Sequence, residues 1–210
     1  MKVLIIAATW PEIAPLASHF DLKEGGFLTT PHFDLLISGV GMTATAFALG
    51  RHLSAKYQLV LNLGIAGSFR RNLPLGTVVN ITQDEFAELG AQDGDEFLTI
   101  EHLGFGKATY TAFNNLLYEE LRQLSKMRGV TVNKVNGNEI EISRLICRLD
   151  PDTESMEGAA VLYACAQTAI PCLQIRAISN YVERRNRKNW NIGLAIKNLN
   201  DWAIGFLTNT

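Results

Sequence analysis

The sequence predicts an α/β protein in which helices cover both faces of a mostly parallel or mixed sheet. Short runs of aliphatic and β-branched residues alternate along the chain with longer segments of helical periodicity. Glycine or polar residues follow several of these runs, and ligands of α/β proteins bind where strands end. The 210 residues, 47% of them hydrophobic, suit one compact domain with a sizeable core. We therefore expect residues 1–210 to form a single domain.

Each element is predicted from its own pattern of apolar residues. Short apolar runs bounded by turn residues predict strands at residues 3–8, 58–63, 77–82, 130–135 and 170–178, and a hairpin over 26–38. Apolar residues at helical spacing predict helices at residues 11–20, 42–55, 112–127, 156–167 and 190–207. Residues 84–111 are the least regular segment and are predicted to be an active-site loop.

Composition and charge exclude several classes of function. A formal net charge of -2 gives no basic face for nucleic acid, and no apolar stretch is long enough to span a membrane. The first apolar run lacks a small-residue cleavage site, so it is predicted to be a strand and not a signal peptide. Cys147, Cys165 and Cys172 show no metal-type spacing and indicate a reducing, cytoplasmic setting. The histidines are scattered, so no metal triad or Ser-His-Asp arrangement is predicted.

Two glycine-rich stretches follow predicted strands. "GVGMTA", residues 39–44, has the form of a dinucleotide fingerprint, but it does not follow the first strand. No acid ends the next strand to hold an adenosine ribose, which favours a turn that brings backbone close to a smaller ligand. "GIAGS", residues 64–68, fits either a ligand-facing backbone or a tight turn needed only for packing.

Two carboxylates lie beside predicted strand or helix ends. Glu12, in "TWPE", fits a capping box with Thr9 as N-cap, and it could also act as a general base on water. Glu157, in "ESMEGAAV", could simply place a favourable negative charge at a helix N-terminus. The small residues that follow it would enclose its carboxylate, which suits acceptance of two hydrogen bonds from a vicinal diol such as a ribose.

The order of these motifs carries a family resemblance. Glu12, "SGVG", "GIAGS", "SMEGAA" and "RAISN" occur in the order typical of the nucleoside phosphorylase/nucleosidase superfamily, which the chain resembles over nearly its whole length. The stretches "FAELGAQDG", "VNGNE" and "SNYVERRNR" resemble the futalosine hydrolase family within it. The resemblance implies a three-layer αβα fold with a central mixed sheet, hydrolysis of an N-glycosidic bond, no cofactor and no essential metal. It also implies a homodimer or higher homo-oligomer, and a place in the futalosine route of menaquinone biosynthesis.

The resemblance also implies roles for individual residues. Glu12 activates the attacking water, Met156 packs on the ribose and Glu157 binds the ribose hydroxyls. Asn180 stands where methylthioadenosine nucleosidases have an aspartate that protonates adenine N7. An amide cannot act as a general acid but can hydrogen-bond a 6-oxopurine, so we expect hypoxanthine as the leaving base and futalosine as the nucleoside. The remaining substrate-binding positions implied are Gly39, Gly41, Ala66, Gly67 and Ser155.

Other parts of the substrate site and other functions stay open at this stage. Arg184, Arg185 and Arg187 could face a substrate carboxylate, a subunit interface or only water, and Arg187 is the one singled out for the aromatic carboxylate of futalosine. Phe86, Phe97 and Phe105 could line a pocket for the 5′ substituent or belong to the ordinary core. The alternatives are a methylthioadenosine/adenosylhomocysteine nucleosidase, a purine nucleoside phosphorylase and a nucleoside-binding module without activity. Arg70 and Arg71 are the candidate phosphate ligands of a phosphorylase, although the carboxylate of Glu12 would repel phosphate.

Overall fold

The computed structural model describes residues 2–113 and 118–209. The strands are β1 Val3–Ala7, β2 Phe27–Thr29, β3 Phe33–Ile37, β4 Leu59–Ser68, β5 Val78–Phe86, β6 Gly90–Asp93, β7 Glu96–Thr99, β8 Thr109–Thr111, β9 Ser125–Thr131, β10 Thr153–Ser155 and β11 Cys172–Tyr181. The helices are α1 Trp10–His19, α2 Met42–His52, α3 Glu119–Arg122, α4 Glu139–Leu149, α5 Gly158–Thr168 and α6 Ile192–Asn209, with a 3₁₀ turn at Arg187–Asn189. None of these helices is both long enough and apolar enough to cross a membrane.

The strands of the described chain form one mixed sheet and a separate hairpin. The sheet has the order β10-β9-β5-β11-β4-β1-β3-β2, with β8 added beside β5, and β6 pairs only with β7. β4 runs parallel to both β1 and β11, whereas β5 is antiparallel to β11. β10 also pairs with the end of β4, so β10, β9, β5, β11 and β4 form a closed ring. The ring brings the carboxyl ends of β4 and β11 next to β10.

Both faces of the sheet are buried under helices. In β1, Ile5 points to the side covered by α1 and α6, where it belongs to the same buried cluster as Ile13 and Leu199. Ile6 points to the opposite side and belongs to a cluster with Leu49 of α2 and Val161 of α5. A strand covered on both faces is apolar throughout, which is why β1 has no polar alternation. The predicted three-layer αβα fold with a central mixed sheet is confirmed.

The hairpin of residues 26–38 and the helices near both chain ends are confirmed, but the middle of the chain differs from the prediction. The predicted helix at residues 112–127 is wrong where the structure describes it, because only the short α3 forms and β9 begins at Ser125; residues 114–117 lie outside the described residues. β9 runs parallel to β5 with a largely exposed, charged first half, so its local sequence does not have the alternation of a half-buried strand. The helix α4, which follows the N-cap Asn138, was not predicted.

Candidate active site

A cleft of about 420 Å³ opens at the carboxyl ends of β1, β4 and β11 and at the start of α5. Parallel strands place their carboxyl ends at one edge of the sheet, so residues distant in sequence meet there. Among the predicted site residues, those that line this cleft are Glu12, Ala66, Gly67, Ser155, Met156, Glu157 and Asn180. The structure therefore brings together side chains from four separate segments of the chain.

Glu12 lies in the first turn of α1 and is almost fully buried. Its Oε2 accepts hydrogen bonds from the N–H and the hydroxyl of Thr9, both at 2.9 Å, which forms the predicted capping box. Its Oε1 accepts a third hydrogen bond from the N–H of Ile65 at 3.1 Å. A carboxylate oxygen has two acceptor positions, so Oε1 keeps one for a ligand or a water in the cleft. The capping role and a role in chemistry are thus compatible.

A buried amide from the last helix fixes the turn of α1 that carries Glu12. Nδ2 of Asn200 donates to the carbonyl of Glu12, and its Oδ1 accepts from the N–H of Leu16, both at 2.9 Å. These are the two backbone groups that bond each other in a regular helical turn. Pro15 lies inside this helix, where proline disturbs the backbone ladder. Asn200 therefore satisfies both groups and holds α1 against α6.

Glu157 is the N-cap residue of α5 and is buried in the opposite wall of the cleft. Its Oε1 accepts a hydrogen bond from the N–H of Gly41 at 2.9 Å. Gly41 and Gly39 have φ of +91° and +83°, a conformation that favours glycine, so the "GVG" turn can present this N–H. Burial raises the pKa of Glu157, while the charge of Arg176 and the Gly41 hydrogen bond oppose that rise.

Arg176, in the middle of β11, is a functional candidate that the sequence prediction missed. Its side chain is only 1% exposed and packs over Gly64 of the neighbouring strand β4. Its Nε and Nη2 have no hydrogen-bond partner among the residues that the structure describes. A β-carbon at Gly64 would lie 2.1 Å from its Nη1 and 3.1 Å from Oε1 of Glu12, so both groups approach the same point above Gly64.

A third buried acid, Asp84, is close enough to Arg176 to be affected by its charge. Asp84 of β5 is fully buried and accepts hydrogen bonds from Gln174 at 2.6 Å and from Thr131 at 2.8 Å. Desolvation raises the pKa of Asp84 to about 6, although these hydrogen bonds and the charge of Arg176 act against it. Thr131 in turn accepts from the N–H of Ala159, at 2.7 Å, in the first turn of α5. Asp84 therefore belongs to the polar network that supports the Glu157 end of the cleft.

Asn180 lies at the end of β11, where a shift in strand register aims it into the cleft. The shift falls between Ile178 and Asn180, and Asn180 then pairs with Gly67. A β-carbon at Gly67 would lie 3.1 Å from Nδ2 of Asn180, so glycine leaves space for this amide. Oδ1 accepts from the hydroxyl of Ser179 at 2.8 Å, and Nδ2 donates to the carbonyl of Tyr181 at 3.0 Å. One N–H and one acceptor position remain for a ligand.

Two further pairs of residues line this end of the cleft. Asn136 donates from its backbone and its side chain to the carboxylate of Glu154, whose pKa is raised by burial. On the outer rim, the guanidinium of Arg185 lies over the ring of Trp190, 5.5 Å from its centroid. Both Arg185 and Trp190 line the cleft.

The structure does not bring every predicted residue to the cleft. Arg187 is exposed at the start of the 3₁₀ turn and is absent from the cleft lining, where Arg185 is present instead. Gly39 and Gly41 act through the turn that meets Glu157, and Val40 between them lines the cleft. Phe86 and Phe97 line two other cavities, and Phe105 is 77% exposed. The predicted loop 84–111 contains β6, β7 and β8.

The arginines considered for phosphate binding are paired with acids. Arg70 forms ion pairs with Asp152 at 2.6 Å and with Asp150 at 2.9 Å. Arg71 pairs with Glu183 at 2.6 Å. Neither arginine lines the cleft. Within residues 2–113 and 118–209, no group of three or more His, Cys, Asp or Glu side chains has the arrangement of a metal site.

The fold and the cleft together define the class of this protein. The family model of the Phosphorylase superfamily matches residues 2–205, and the chain belongs to that superfamily. Within it, the chain is 34% identical to a futalosine hydrolase of Streptomyces coelicolor over 83% of this chain and 78% of that protein. It is 32% identical to a futalosine hydrolase of Acidothermus cellulolyticus over 95% of this chain and 87% of that protein.

A solved structure supports the same fold. A 5′-methylthioadenosine/S-adenosylhomocysteine nucleosidase from Helicobacter pylori, crystallised with butyl-thio-DADMe-Immucillin-A, superposes with a TM-score of 0.85. The two chains are 17% identical, and the superposition covers 100% of this chain and 99% of that one. At 17% identity, this structural similarity is evidence for the fold alone. Evidence about the reaction comes from the more similar futalosine hydrolases.

Proposed function

We propose that this protein is a futalosine hydrolase, an N-glycosyl hydrolase that cleaves futalosine into hypoxanthine and dehypoxanthine futalosine. The observation that carries the proposal is the arrangement of one cleft. Two buried carboxylates, Glu12 and Glu157, line it together with the amide of Asn180. The buried guanidinium of Arg176 lies near Glu12, and its Nε and Nη2 have no partner among the described residues. The residues 1–210 act as one nucleosidase domain in this proposal.

The sugar occupies the end of the cleft beside Glu157. The carboxylate accepts hydrogen bonds from the 2′- and 3′-hydroxyls, and Met156 packs against the ribose. As the C–N bond lengthens, positive charge develops on the ribosyl group, and the negative charge of Glu157 stabilises it. The charge of Arg176 opposes the rise in the pKa of Glu157 that burial causes, and so favours the charged carboxylate. Gly41 fixes its direction through a hydrogen bond to Oε1.

Glu12 and Arg176 position the attacking water. Oε1 of Glu12 has one free acceptor position, and Nη1 of Arg176 approaches the same point above Gly64. A water bound between the two groups, at hydrogen-bond distance from each, donates to the carboxylate and accepts from the guanidinium. Glu12 then removes a proton from the water as its oxygen attacks the anomeric carbon. The pair of carboxylates around an oxocarbenium-like centre follows the logic of glycoside hydrolysis.

Asn180 recognises the departing base. Its free N–H donates to N7 or to the 6-oxo group of the purine, and Ala66, Gly67 and Ser155 line the surrounding wall. Negative charge that develops on a 6-oxopurine spreads onto its oxygen, so hydrogen bonds alone help it to leave. An adenine needs a proton at N7, which an amide does not supply. This difference favours futalosine over methylthioadenosine as the substrate.

Phosphorolysis is disfavoured by charge. Arg70 and Arg71 are occupied by acids and lie outside the cleft lining. The carboxylate of Glu12 occupies the position beside the anomeric carbon and repels a phosphate dianion. Water is therefore the expected nucleophile.

The first test compares three nucleosides in the presence and absence of phosphate. The protein is incubated with futalosine, inosine and methylthioadenosine, and the free base is quantified chromatographically. We expect hypoxanthine from futalosine at the same rate with and without phosphate. Phosphate-dependent cleavage of inosine would establish a phosphorylase instead, and binding without cleavage of any nucleoside would establish a binding module.

The second test addresses the general base. Glu12→Gln keeps the size of the side chain but removes its basicity, so kcat for futalosine should fall by about 10²–10⁴-fold. The substrate contacts are elsewhere, so KM should change little. Glu24→Gln makes the same charge change at an exposed position and should behave as wild type. Normal turnover by Glu12→Gln would remove Glu12 from the mechanism.

Assembly and cellular context complete the proposal. Phe47 and Val40 are 68% and 56% exposed near the helix α2, and such apolar surface suits contact with a second copy of the chain in a homodimer. Sedimentation velocity measures whether the protein is a monomer or a homodimer. A cytoplasmic location and a role in menaquinone biosynthesis follow from the proposed substrate. The proposal includes no cofactor, metal, nucleic acid or membrane.

A further inference from the structure

The cleft is lined by several carboxylates and by one cationic side chain that the hydrolysis of a neutral nucleoside does not require. Four carboxylates line it, those of Glu12, Glu154, Glu157 and Glu183, and Arg185 is the one cation among the lining residues that the structure describes. A neutral base and sugar need acceptors for their hydroxyl and N–H groups, which the acids supply. They have no group that needs a guanidinium.

Arg185 is also free to bind an anion. Each of the four acids already accepts a hydrogen bond: Glu12 from Ile65, Glu154 from Asn136, Glu157 from Gly41 and Glu183 from Arg71. Within residues 2–113 and 118–209, no carboxylate lies within ion-pair distance of Arg185. Glu183 forms an ion pair with Arg71 at 2.6 Å, so it does not compete with a ligand for Arg185.

The surroundings of Arg185 match an aromatic group that carries a carboxylate. The guanidinium lies over the indole of Trp190, which orients its donors along the cleft rim. Ile192 and Ile196 continue the lining beside Trp190 and give an apolar wall. The backbone nitrogen of Arg185 lies 3.6 Å from where a β-carbon of Gly137 would be, so the loop that carries Arg185 and the loop that carries Gly137 meet at the rim. The site therefore combines an apolar surface with a single cation at its outer end.

We infer that Arg185 is a specificity-determining residue that binds the carboxylate at the end of the substrate's 5′ substituent, with Trp190 supporting the apolar part of that substituent. This inference rests on the proposed function, because futalosine carries an aromatic carboxylate on its 5′ side. It assigns to Arg185 the contact that the sequence had suggested for Arg187. The site thereby selects nucleosides with an anionic tail over inosine and other neutral nucleosides.

The experiment compares charged and neutral tails on wild type and variants. For wild type, KM for futalosine should be about tenfold or more below KM for its methyl ester, because a charge-assisted hydrogen bond is lost in the ester. Arg185→Ala should raise KM for futalosine by about the same factor and leave KM for the methyl ester unchanged. The value of kcat should be retained, because Arg185 lies away from the anomeric carbon. Arg185→Lys should recover part of the affinity for futalosine.

Arg184→Ala is the matched control, since Arg184 is an exposed neighbour outside the cleft lining and should keep wild-type KM for both compounds. An equal rise in KM for futalosine and its ester in Arg185→Ala would indicate a packing role and overturn the inference. An unchanged KM for futalosine would also overturn it. If wild type fails to cleave futalosine at all, the proposed function fails first, so the two failures are distinguishable.

Discussion

Gly64 is where the geometry of the cleft is most sensitive to one added carbon. A β-carbon at this position would lie 2.1 Å from Nη1 of Arg176, so the guanidinium would have to move by at least about 1 Å to reach ordinary contact. Arg176 is 1% exposed, so it is enclosed by other protein groups that would have to move with it. Overpacking of a buried site costs about 1–3 kcal/mol. For a chain of this length, that cost lowers Tm by roughly 2–12 °C.

The same displacement should slow catalysis. In our proposal Arg176 holds the attacking water with Glu12, and its charge favours the ionised form of Glu157. A misplacement of about 1 Å in a catalytic group can cost about 10²-fold in rate, so kcat of Gly64→Ala should fall by about this factor. Thermal unfolding and the release of hypoxanthine from futalosine give the two readouts. The loss of rate should persist at temperatures well below the lowered Tm.

Gly50→Ala is the control for this substitution. Gly50 lies in α2, is exposed, and would place its β-carbon with nothing within 4 Å. Alanine in a helix is favoured over glycine by about 1 kcal/mol, so this variant should be as stable as wild type or slightly more stable and fully active. If Gly64→Ala matched Gly50→Ala in both Tm and kcat, the proposed dependence of the site on the space above Gly64 would be refuted.

Two further predictions concern charge. Burial raises the pKa of Asp84 to about 6, so the folded state binds a proton more tightly than the unfolded state does, and the stability this gives at low pH is lost as pH rises from about 4 to about 6. Asp84→Asn removes the titrating group, so the difference in unfolding free energy between pH 4 and pH 7, measured with urea, should shrink by on the order of 3 kcal/mol. The variant should fold because Gln174 can turn its unpartnered Oε1 toward the new amide. An unchanged difference between the two pH values would contradict the prediction. Asn180→Asp should raise the ratio of kcat/KM for an adenine nucleoside with the same 5′ tail to kcat/KM for futalosine by about tenfold or more, since a carboxyl group can protonate N7. If steady-state assays gave the same ratio for the variant and wild type, residue 180 would not select the base.

Local patterns predicted the parts of the fold that depend on local sequence. The apolar runs of β1, β4 and β11 are fully buried strands, and such runs are recognisable because both of their faces are covered. The predicted strand at residues 130–135 coincides with β9 only at residues 130–131. The first part of β9 was missed because its pairing with β5 is a long-range interaction that its polar sequence does not indicate. The helix α4 has apolar residues at helical spacing and an N-cap at Asn138, so its signal was present but was assigned to a strand end.

The site was predicted in part for the same physical reason. Glu12, Glu157 and Asn180 follow recognisable strand or helix boundaries, and the structure places all three in one cleft. Arg176 was missed because a charged residue inside an apolar strand acquires meaning only when Gly64 of the next strand makes room for it. A lone arginine in an otherwise apolar run was the available signal. The choice of Arg185 over Arg187 depends on how the rim loop folds, which the sequence pattern does not indicate.

The hydrogen bonds of Asn200 link the order of synthesis to the readiness of the enzyme. Glu12 is synthesised 188 residues before Asn200, whose amide satisfies its carbonyl and belongs to the last helix of the described chain. Until α6 docks, the turn of α1 beside Pro15 has no partner for that carbonyl or for the N–H of Leu16. The proposed general base, Glu12, is therefore set in place only when α6 packs against α1. A chain without α6 would contain Glu12, Glu157 and Asn180, but it would lack Asn200, and the turn that carries Glu12 would lose this support.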